Sequence, residues 1–230
     1  MIPISDSIKS RKFPLLNLVM IGVNLYVFWL MVTAPSLDAF IAQWALIPQN
    51  VNFYDPTTLL PFVTHMFLHA GFFHLFSNLI FLWVFGDNIE SHFGKPWYLI
   101  IYFVSGIVGA LAQFALTPDS AIPMVGASGA ISGILGAYFV SHPHSKIKTL
   151  LPIFFVVTIV NIPAIIYIFY WFFLQLVSGV TSLSTITQET GGVAFWAHIG
   201  GFLAGVFLAK TMRMEHNDKF IEGEFEEISK

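Results

Sequence analysis

Long apolar stretches separated by short polar ones constrain this chain more than any other feature of its sequence. Of its 230 residues, 56% are hydrophobic and 10% are charged, and the mean hydropathy is +0.76. A water-soluble domain carries about 25% charged residues, so this composition indicates a protein that lies in the lipid bilayer. Runs of about 20 apolar residues have the length of a membrane-spanning helix. The sequence therefore predicts an all-α, polytopic membrane protein.

Six stretches have the hydropathy expected of membrane-spanning helices. In chain order they cover residues 13–33, 72–92, 96–116, 125–141, 149–177 and 192–212. The first stretch follows a basic cluster, as the apolar part of a secretory signal peptide does, but its length favours a retained span. We expect one membrane domain over residues 1–213 and a short acidic tail over residues 214–230.

The basic residues predict the orientation of these spans. With six spans, all ten Lys and Arg residues fall on the side of both termini, whereas the opposite loops, 34–71, 117–124 and 178–191, carry acidic charges alone. Basic residues accumulate on cytoplasmic loops, so both termini are predicted to be cytosolic. The first external loop is apolar and contains four prolines, and we expect it to lie partly in the membrane.

Composition also excludes several classes of function. The chain contains no cysteine, which excludes disulfides, thiolate metal sites and cysteine nucleophiles. Its net charge is -3 and no dense basic patch is present, so nucleic acid is not an expected partner.

A serine and a histidine at the predicted outer ends of two spans form a candidate catalytic pair. Ser128 lies in the small-residue segment GASGA, and His198 lies early in the last span. A serine hydroxyl needs a base to take its proton, and an ionisable residue inside a span is a functional candidate. Each residue also has an ordinary explanation, because small residues pack membrane helices together and a buried histidine can be structural. Topology joins the two residues, since both spans run from outside to inside.

Further polar side chains lie at the same predicted membrane level. The apolar stretches offer no carboxylate near the pair, so a Ser–His dyad is predicted, with Glu189 of the outer loop a weak candidate for a third member. His74 and Asn78 begin the second span and can donate hydrogen bonds to an oxyanion, alongside the backbone N–H of the serine. The spacing of His65 and His69 would also suit zinc, but no further ligand is convincingly placed, and no metal or cofactor is predicted.

Three segments together resemble the rhomboid intramembrane proteases, of the bacterial or archaeal type with six spans. They are HLFSN at 74–78, GASGA at 126–130 and AHIGGFLAG at 197–205, and they occur in the order and topology of that family. The resemblance covers roughly residues 13–212. It implies a short fourth helix surrounded by the others and a water-filled cavity that opens to the external side of a prokaryotic plasma membrane.

The resemblance also implies the roles of individual residues. Ser128 would be the nucleophile and His198 the general base, with His74 and Asn78 as oxyanion partners and Gly126 beside the active serine. It implies a serine endopeptidase without cofactor or metal. Its partners would be the bilayer and membrane protein substrates that are cut in or near their spans.

The sequence departs from the family in two places. Some members carry an aromatic residue one turn after the serine, packed on the histidine, but Ser132 stands there, which leaves Phe195 or Trp196 for that contact. Many members also carry a Trp-Arg pair in the first loop, and this loop has no arginine.

Two other functions remain as alternatives. A non-catalytic rhomboid-like protein would bind transmembrane clients, although such proteins usually lack the serine or the histidine. A small transporter would also use intramembrane histidines, but this chain has neither mid-bilayer carboxylates nor an inverted repeat.

Overall fold

The computed structural model describes residues 1–8, 13–153, 156–184 and 194–228, which are mostly helical. In chain order the elements are β1 (Ile2–Asp6), α1 (Leu15–Val32), α2 (Leu37–Trp44), α3 (Pro61–Thr64), α4 (Phe72–Phe81), α5 (Asp87–Phe93), α6 (Lys95–Leu116), α7 (Ser128–Ser141), β2 (Lys146–Ile153), β3 (Val156–Pro163), α8 (Ala164–Ser184) and α9 (Phe195–Ile228). A π-helical turn, Leu82–Gly86, joins α4 and α5 into one rod.

Five helical segments in the described ranges are long and apolar enough to cross a membrane. They are Leu15–Val32, Phe72–Phe93, Lys95–Leu116, Ala164–Ser182 and Phe195–Met212. They fall where the first, second, third, fifth and sixth spans were predicted. The protein is therefore an integral, multi-pass membrane protein.

The helix at the fourth predicted span, α7, is shorter than the other five. It contains 14 residues, begins at Ser128 rather than at residue 125, and is buried continuously from Gly129 to Tyr138. A full crossing needs about 20 residues, so α7 is enclosed by protein instead of spanning the bilayer by its own length. The count of six spans and the cytosolic termini stay predictions.

Backbone-to-backbone packing holds α9 against α7. A Cβ added at Gly201 would collide with the carbonyl of Gly129, and one added at Gly205 would collide with the carbonyl of Gly133. The glycines therefore allow an approach that any side chain would prevent. Because Ser128 starts α7 and His198 lies in the first turn of α9, this packing sets the distance between them.

The prediction of an all-α fold was wrong in one region. Strands β1, β2 and β3 form an antiparallel sheet in that order. Residues 146–153 and 156–163, which were assigned to an inner loop and to the fifth span, instead form the paired strands β2 and β3. The segment VVTIVNIP of β3 is rich in β-branched residues, which favour strands. Hydrophobicity alone does not separate a short apolar strand from a buried helix.

Other boundaries also moved. Helix α8 starts at Ala164 and continues to Ser184, so the first part of the predicted outer loop 178–191 is helical. The remainder of that loop, including Glu189, lies outside the described residues. Helix α9 continues without a break from the last span to Ile228. The predicted tail thus begins within a helix, and the domain boundary at residue 213 stays a prediction.

A hydrogen-bond network ties the N-terminal strand to the far end of α7. The carboxylate of Asp6 accepts hydrogen bonds from the hydroxyl of Tyr138 and, at 2.8 Å, from Nδ2 of Asn88. The backbone N–H of Ile8 donates to the same carboxylate at 3.2 Å. The Tyr138 hydroxyl also lies 3.0 Å from the hydroxyl of Ser145. Burial raises the pKa of Asp6.

Candidate active site

Ser128 and His198 meet within hydrogen-bond distance. The Oγ atom of Ser128 lies 2.7 Å from Nε2 of His198, and His198 is buried, with 8% of its surface exposed. This distance is that of a serine hydroxyl donating to a histidine ring nitrogen. The two residues lie 70 positions apart in the chain, and the packing of α7 on α9 brings them together.

The other ring nitrogen of His198 has a partner that none of the sequence motifs indicated. Its Nδ1 atom lies 2.8 Å from Oε1 of Gln175 in α8. Trp171, one turn earlier on the same face of α8, has its ring centre 6.0 Å from that of His198. Phe195, one of the two aromatic residues proposed from the sequence, lies edge-on to His198 at 6.5 Å. Trp171 therefore adds an aromatic contact that Ser132 cannot provide.

A cavity of about 660 Å³ lies beside this pair. Its lining combines residues of α4, α7, α8 and α9 and of the segments before α4, α7 and α9: Ala70, His74, Ser77, Asn78, Phe81, Ile122, Pro123, Met124, Val125, Ser128, Ile131, Leu135, Trp171, Ala194 and His198. Both predicted oxyanion partners thus face the same space as the serine and the histidine. The cavity is large enough for a peptide segment, and most of the lining side chains are apolar.

The local hydrogen bonds of His74 and Asn78 define which protons they can offer. Nδ2 of Asn78 donates to the carbonyl of His74 at 3.1 Å, which uses one of its two amide protons. The backbone N–H of Ala70 donates to Nδ1 of His74 over a long 3.4 Å. A neutral His74 that accepts at Nδ1 carries its proton on Nε2. Each side chain therefore retains a donor that can serve an oxyanion.

Gly126 lies where a side chain would obstruct this arrangement. Its φ angle is 125°, in the region that favours glycine. A Cβ at this position would lie 2.7 Å from Nε2 of His74 and 3.6 Å from Oγ of Ser128. The Gly126 N–H donates to the carbonyl of His65 at 2.9 Å, which fixes the segment before α7. Glycine is thus required by both conformation and space.

The start of α7, at Ser128, borders the cavity. The preceding residue, Ala127, has no side-chain oxygen to cap the helix, and the first N–H groups of a helix have no partner within it. Ser132, one turn deeper, donates its hydroxyl to the carbonyl of Ser128 at 2.6 Å and is fully buried. Its hydroxyl therefore serves the helix itself.

The remaining histidines near the site lie in the segment before α4. Nδ1 of His65 bonds to the carbonyl of Pro61 at 2.8 Å, and burial lowers the pKa of His65 to about 4. Burial, with a smaller contribution from His74, lowers the pKa of His69 to about 3. Both rings are neutral at pH 7. In the described ranges, no group of three or more His, Cys, Asp or Glu side chains is arranged to hold a metal ion.

Comparisons with known proteins agree with the motifs. A family model described as Rhomboid domain matches residues 56–215. Rhomboid protease GluP of Bacillus subtilis is 31% identical over 153 residues, which cover 65% of this chain and 25% of that protein. Rhomboid protein 1, mitochondrial, of Saccharomyces cerevisiae is 28% identical over 195 residues, which cover 81% of this chain and 50% of that protein.

A protein named as inactive is also among the relatives. Inactive RHOMBOID-like protein 8 of Arabidopsis thaliana is 37% identical over 103 residues, which cover 42% of this chain and 29% of that protein. The chain spans between a quarter and half of the length of these relatives. Similarity by itself therefore does not assign an activity.

Proposed function

The chain belongs to the rhomboid family, since the Rhomboid domain covers more than half of it, and from this premise we propose that it is an intramembrane serine endopeptidase. Its substrates are membrane proteins, which it cleaves within or near their spans. The observation that carries the proposal is the 2.7 Å hydrogen bond between Oγ of Ser128 and Nε2 of His198 beside the cavity.

The proposed reaction is acyl transfer followed by hydrolysis. Ser128 Oγ attacks the scissile carbonyl while His198 Nε2 takes the hydroxyl proton and passes it to the leaving amine. In the second half, His198 takes a proton from the water that attacks the acyl-enzyme, and it returns this proton to Ser128 Oγ as the ester bond breaks and the acid leaves. His74 Nε2–H, the second amide proton of Asn78 and the backbone N–H at the start of α7 stabilise the oxyanion of both steps.

The substrate must present an unpaired carbonyl to this site. The carbonyls of a membrane helix are bonded within the helix, so it has to unwind before it is cut. We therefore expect substrates with helix-weakening residues near the outer end of their span and small residues at the cut. The placement of all Lys and Arg on one side of the six predicted spans supports cytosolic termini and a site open to the external side. The prokaryotic plasma membrane is proposed from the resemblance alone.

The alternative is a rhomboid-like protein that binds transmembrane clients without cutting them. One relative is named as inactive, so an experiment has to distinguish client binding from proteolysis. Purified protein in liposomes, with a single-span reporter protein, is assayed as wild type, Ser128→Ala and His198→Ala. Ser132→Ala is the matched control, since it removes the same hydroxyl one turn away from the pair.

We expect cleavage by the wild type and by Ser132→Ala, and losses of at least about 10³-fold in Ser128→Ala and His198→Ala. Binding of the reporter without cleavage by the wild type would support the client-binding function instead. Equal cleavage by Ser128→Ala and wild type would overturn the mechanism.

A further inference from the structure

The second nitrogen of the catalytic histidine is hydrogen-bonded to an amide from a different helix. Nδ1 of His198 lies 2.8 Å from Oε1 of Gln175, while Nε2 of the same ring lies 2.7 Å from Oγ of Ser128. A neutral imidazole carries one proton, so one nitrogen donates and the other accepts. If Nδ1–H donates to the amide oxygen, Nε2 is the acceptor and can take the serine proton. The three side chains form a chain of hydrogen bonds with one consistent direction.

We propose, on the premise that the protein is a serine protease, that Gln175 is a positioning residue that holds His198 in the tautomer and ring orientation required of a base. It occupies the place that a carboxylate has in a Ser–His–Asp triad, but it carries no charge. It orients the ring and stabilises the imidazolium only through the dipole of its amide oxygen, without the full charge of a carboxylate. The weak sequence candidate for a third member was Glu189, whereas the geometry points to Gln175.

The surroundings of Gln175 support a fixed role. Trp171 and Gln175 lie four residues apart, so both project from the same face of α8, and both contact the ring of His198. Further along this face, Gly179 lies against α9, where a Cβ would contact Ile199 and Trp196 at 3.4 Å. The residues on either side of Gln175 in the chain are exposed leucines. Gln175 therefore projects from the face of α8 that packs on α9.

The charges around His198 decide how clearly a substitution of the Gln175 amide can be tested. The sequences of α6, α7 and α8, which pack against α9, contain no carboxylate. His74 of α4 lines the same cavity as the pair. Lys95 is the first residue of α6, at the opposite end of that helix from Gln113. Among the described residues, a carboxylate introduced at residue 175 would thus be the first one beside this histidine.

Two substitutions separate orientation from packing. Gln175→Leu keeps the approximate volume and removes the acceptor. Gln175→Glu restores an acceptor and adds a negative charge beside Nδ1. The matched control is Gln113→Leu. Oε1 of Gln113 also accepts a hydrogen bond from α9, from the backbone N–H of Trp196 at 3.2 Å, but this hydrogen bond does not involve the ring of His198.

We expect Gln175→Leu to lower kcat about 10- to 100-fold with KM changed by less than about twofold, because the base loses orientation while substrate contacts remain. Gln175→Glu should recover most of the rate at neutral pH and move the acid limb of the pH–rate profile upward by about one pH unit or more, since a carboxylate favours the imidazolium. Gln113→Leu should keep the wild-type profile. Ser128 labelling by an alkyl fluorophosphonate should slow in Gln175→Leu as kcat does.

Other outcomes would overturn the proposal. They are wild-type kcat in Gln175→Leu, a loss in Gln175→Leu that Gln175→Glu does not recover, and an unmoved acid limb in Gln175→Glu. A wild type that neither cleaves the reporter nor reacts with the fluorophosphonate would instead refute the proposed function, and would do so irrespective of the variants at residue 175.

Discussion

Polar side chains lie at both ends of α7, but those at one end border a cavity and those at the other form a hydrogen-bond network. The N-terminal end of α7 is predicted to lie on the external side, and we call it the outer end. There Ser128 and His198 face a cavity of about 660 Å³, and neighbouring donors retain unused protons. At the C-terminal end, which we call the inner end, Tyr138 and Asn88 both donate to the carboxylate of Asp6. The cavity that borders Asp6 is smaller, at about 220 Å³. One helix thus carries the proposed catalytic pair at one end and a hydrogen-bonded network at the other.

The difference shows how the same residue types serve reaction or stability. A buried polar group that is fully bonded adds stability, and removing its partner leaves a desolvated group behind. A group with an unused proton keeps that interaction for a substrate or a transition state. We therefore expect substitutions at the outer end to lower kcat more than stability, and substitutions at the inner end to do the reverse.

The largest expected contrast is between the two glycines with positive φ. Gly126→Ala at the outer end should lower activity about 100-fold, because the new Cβ is strained and displaces the ring of His74 from the oxyanion site. In Gly94→Ala at the inner end the new Cβ would meet no neighbouring atom, so the variant should keep its activity. Its positive φ alone should cost about 1 kcal/mol of stability. Reporter cleavage measures the activity of each variant, and thermal unfolding in detergent measures its stability. Equal activity of the two variants would contradict the comparison.

The pH dependence of stability should have opposite signs for His65, near the outer end, and Asp6, at the inner end. The pKa of buried His65 is about 4 in the folded protein, against an ordinary value of 6.5, so the unfolded state binds the proton first as pH falls. The contribution of neutral His65 to the free energy of unfolding, roughly 3 kcal/mol, is present above pH 6.5 and is lost as pH falls toward 4. Asp6, whose pKa is raised by burial, contributes stability below its ordinary pKa of 3.8, and this contribution is lost as pH rises.

The corresponding measurement is the thermal midpoint in detergent between about pH 7.5 and about pH 4, a range in which His65 passes from neutral to charged in the unfolded chain. We expect His65→Asn to reduce the loss of stability on acidification and Asp6→Asn to increase it. A wild-type midpoint that rises on acidification, or an unchanged slope in both variants, would contradict this assignment.

The smallest expected effect concerns the tyrosine that closes the inner network. Tyr138→Phe removes the hydroxyl that bonds Asp6 and Ser145, and should cost about 1–3 kcal/mol of stability. Tyr167→Phe is the control, because its hydroxyl reaches the carbonyl of Met1 at 3.5 Å, the limit of a hydrogen bond. Both variants should cleave the reporter at nearly the wild-type rate below their midpoints. A large loss of kcat in Tyr138→Phe with an unchanged midpoint would show that the inner end takes part in the reaction.

Sequence reasoning located five spans because each combines length and hydropathy, two properties that do not depend on neighbours. It failed over residues 146–153 and 156–163, where apolar segments form paired strands, since pairing with β1 is a long-range contact that leaves no periodic signal. It predicted a Ser–His dyad with Glu189 as a weak candidate for a third member, and it did not name Gln175. A search for carboxylates passes over Gln175, although an amide in an apolar helix, four residues after Trp171, was a signal that could have been used.

By itself, the sequence determined that the protein lies in the membrane, that it resembles rhomboid proteases, and that Ser128 and His198 are the candidate reactive pair. These conclusions rest on composition, charge placement and short motifs, all of which are local. The tertiary structure decided that Oγ of Ser128 lies 2.7 Å from Nε2 of His198, and that Gln175 of α8 meets the other side of the ring. Such contacts depend on how closely glycine-bearing helices approach and how they are rotated, and the sequence does not encode either quantity at any single position.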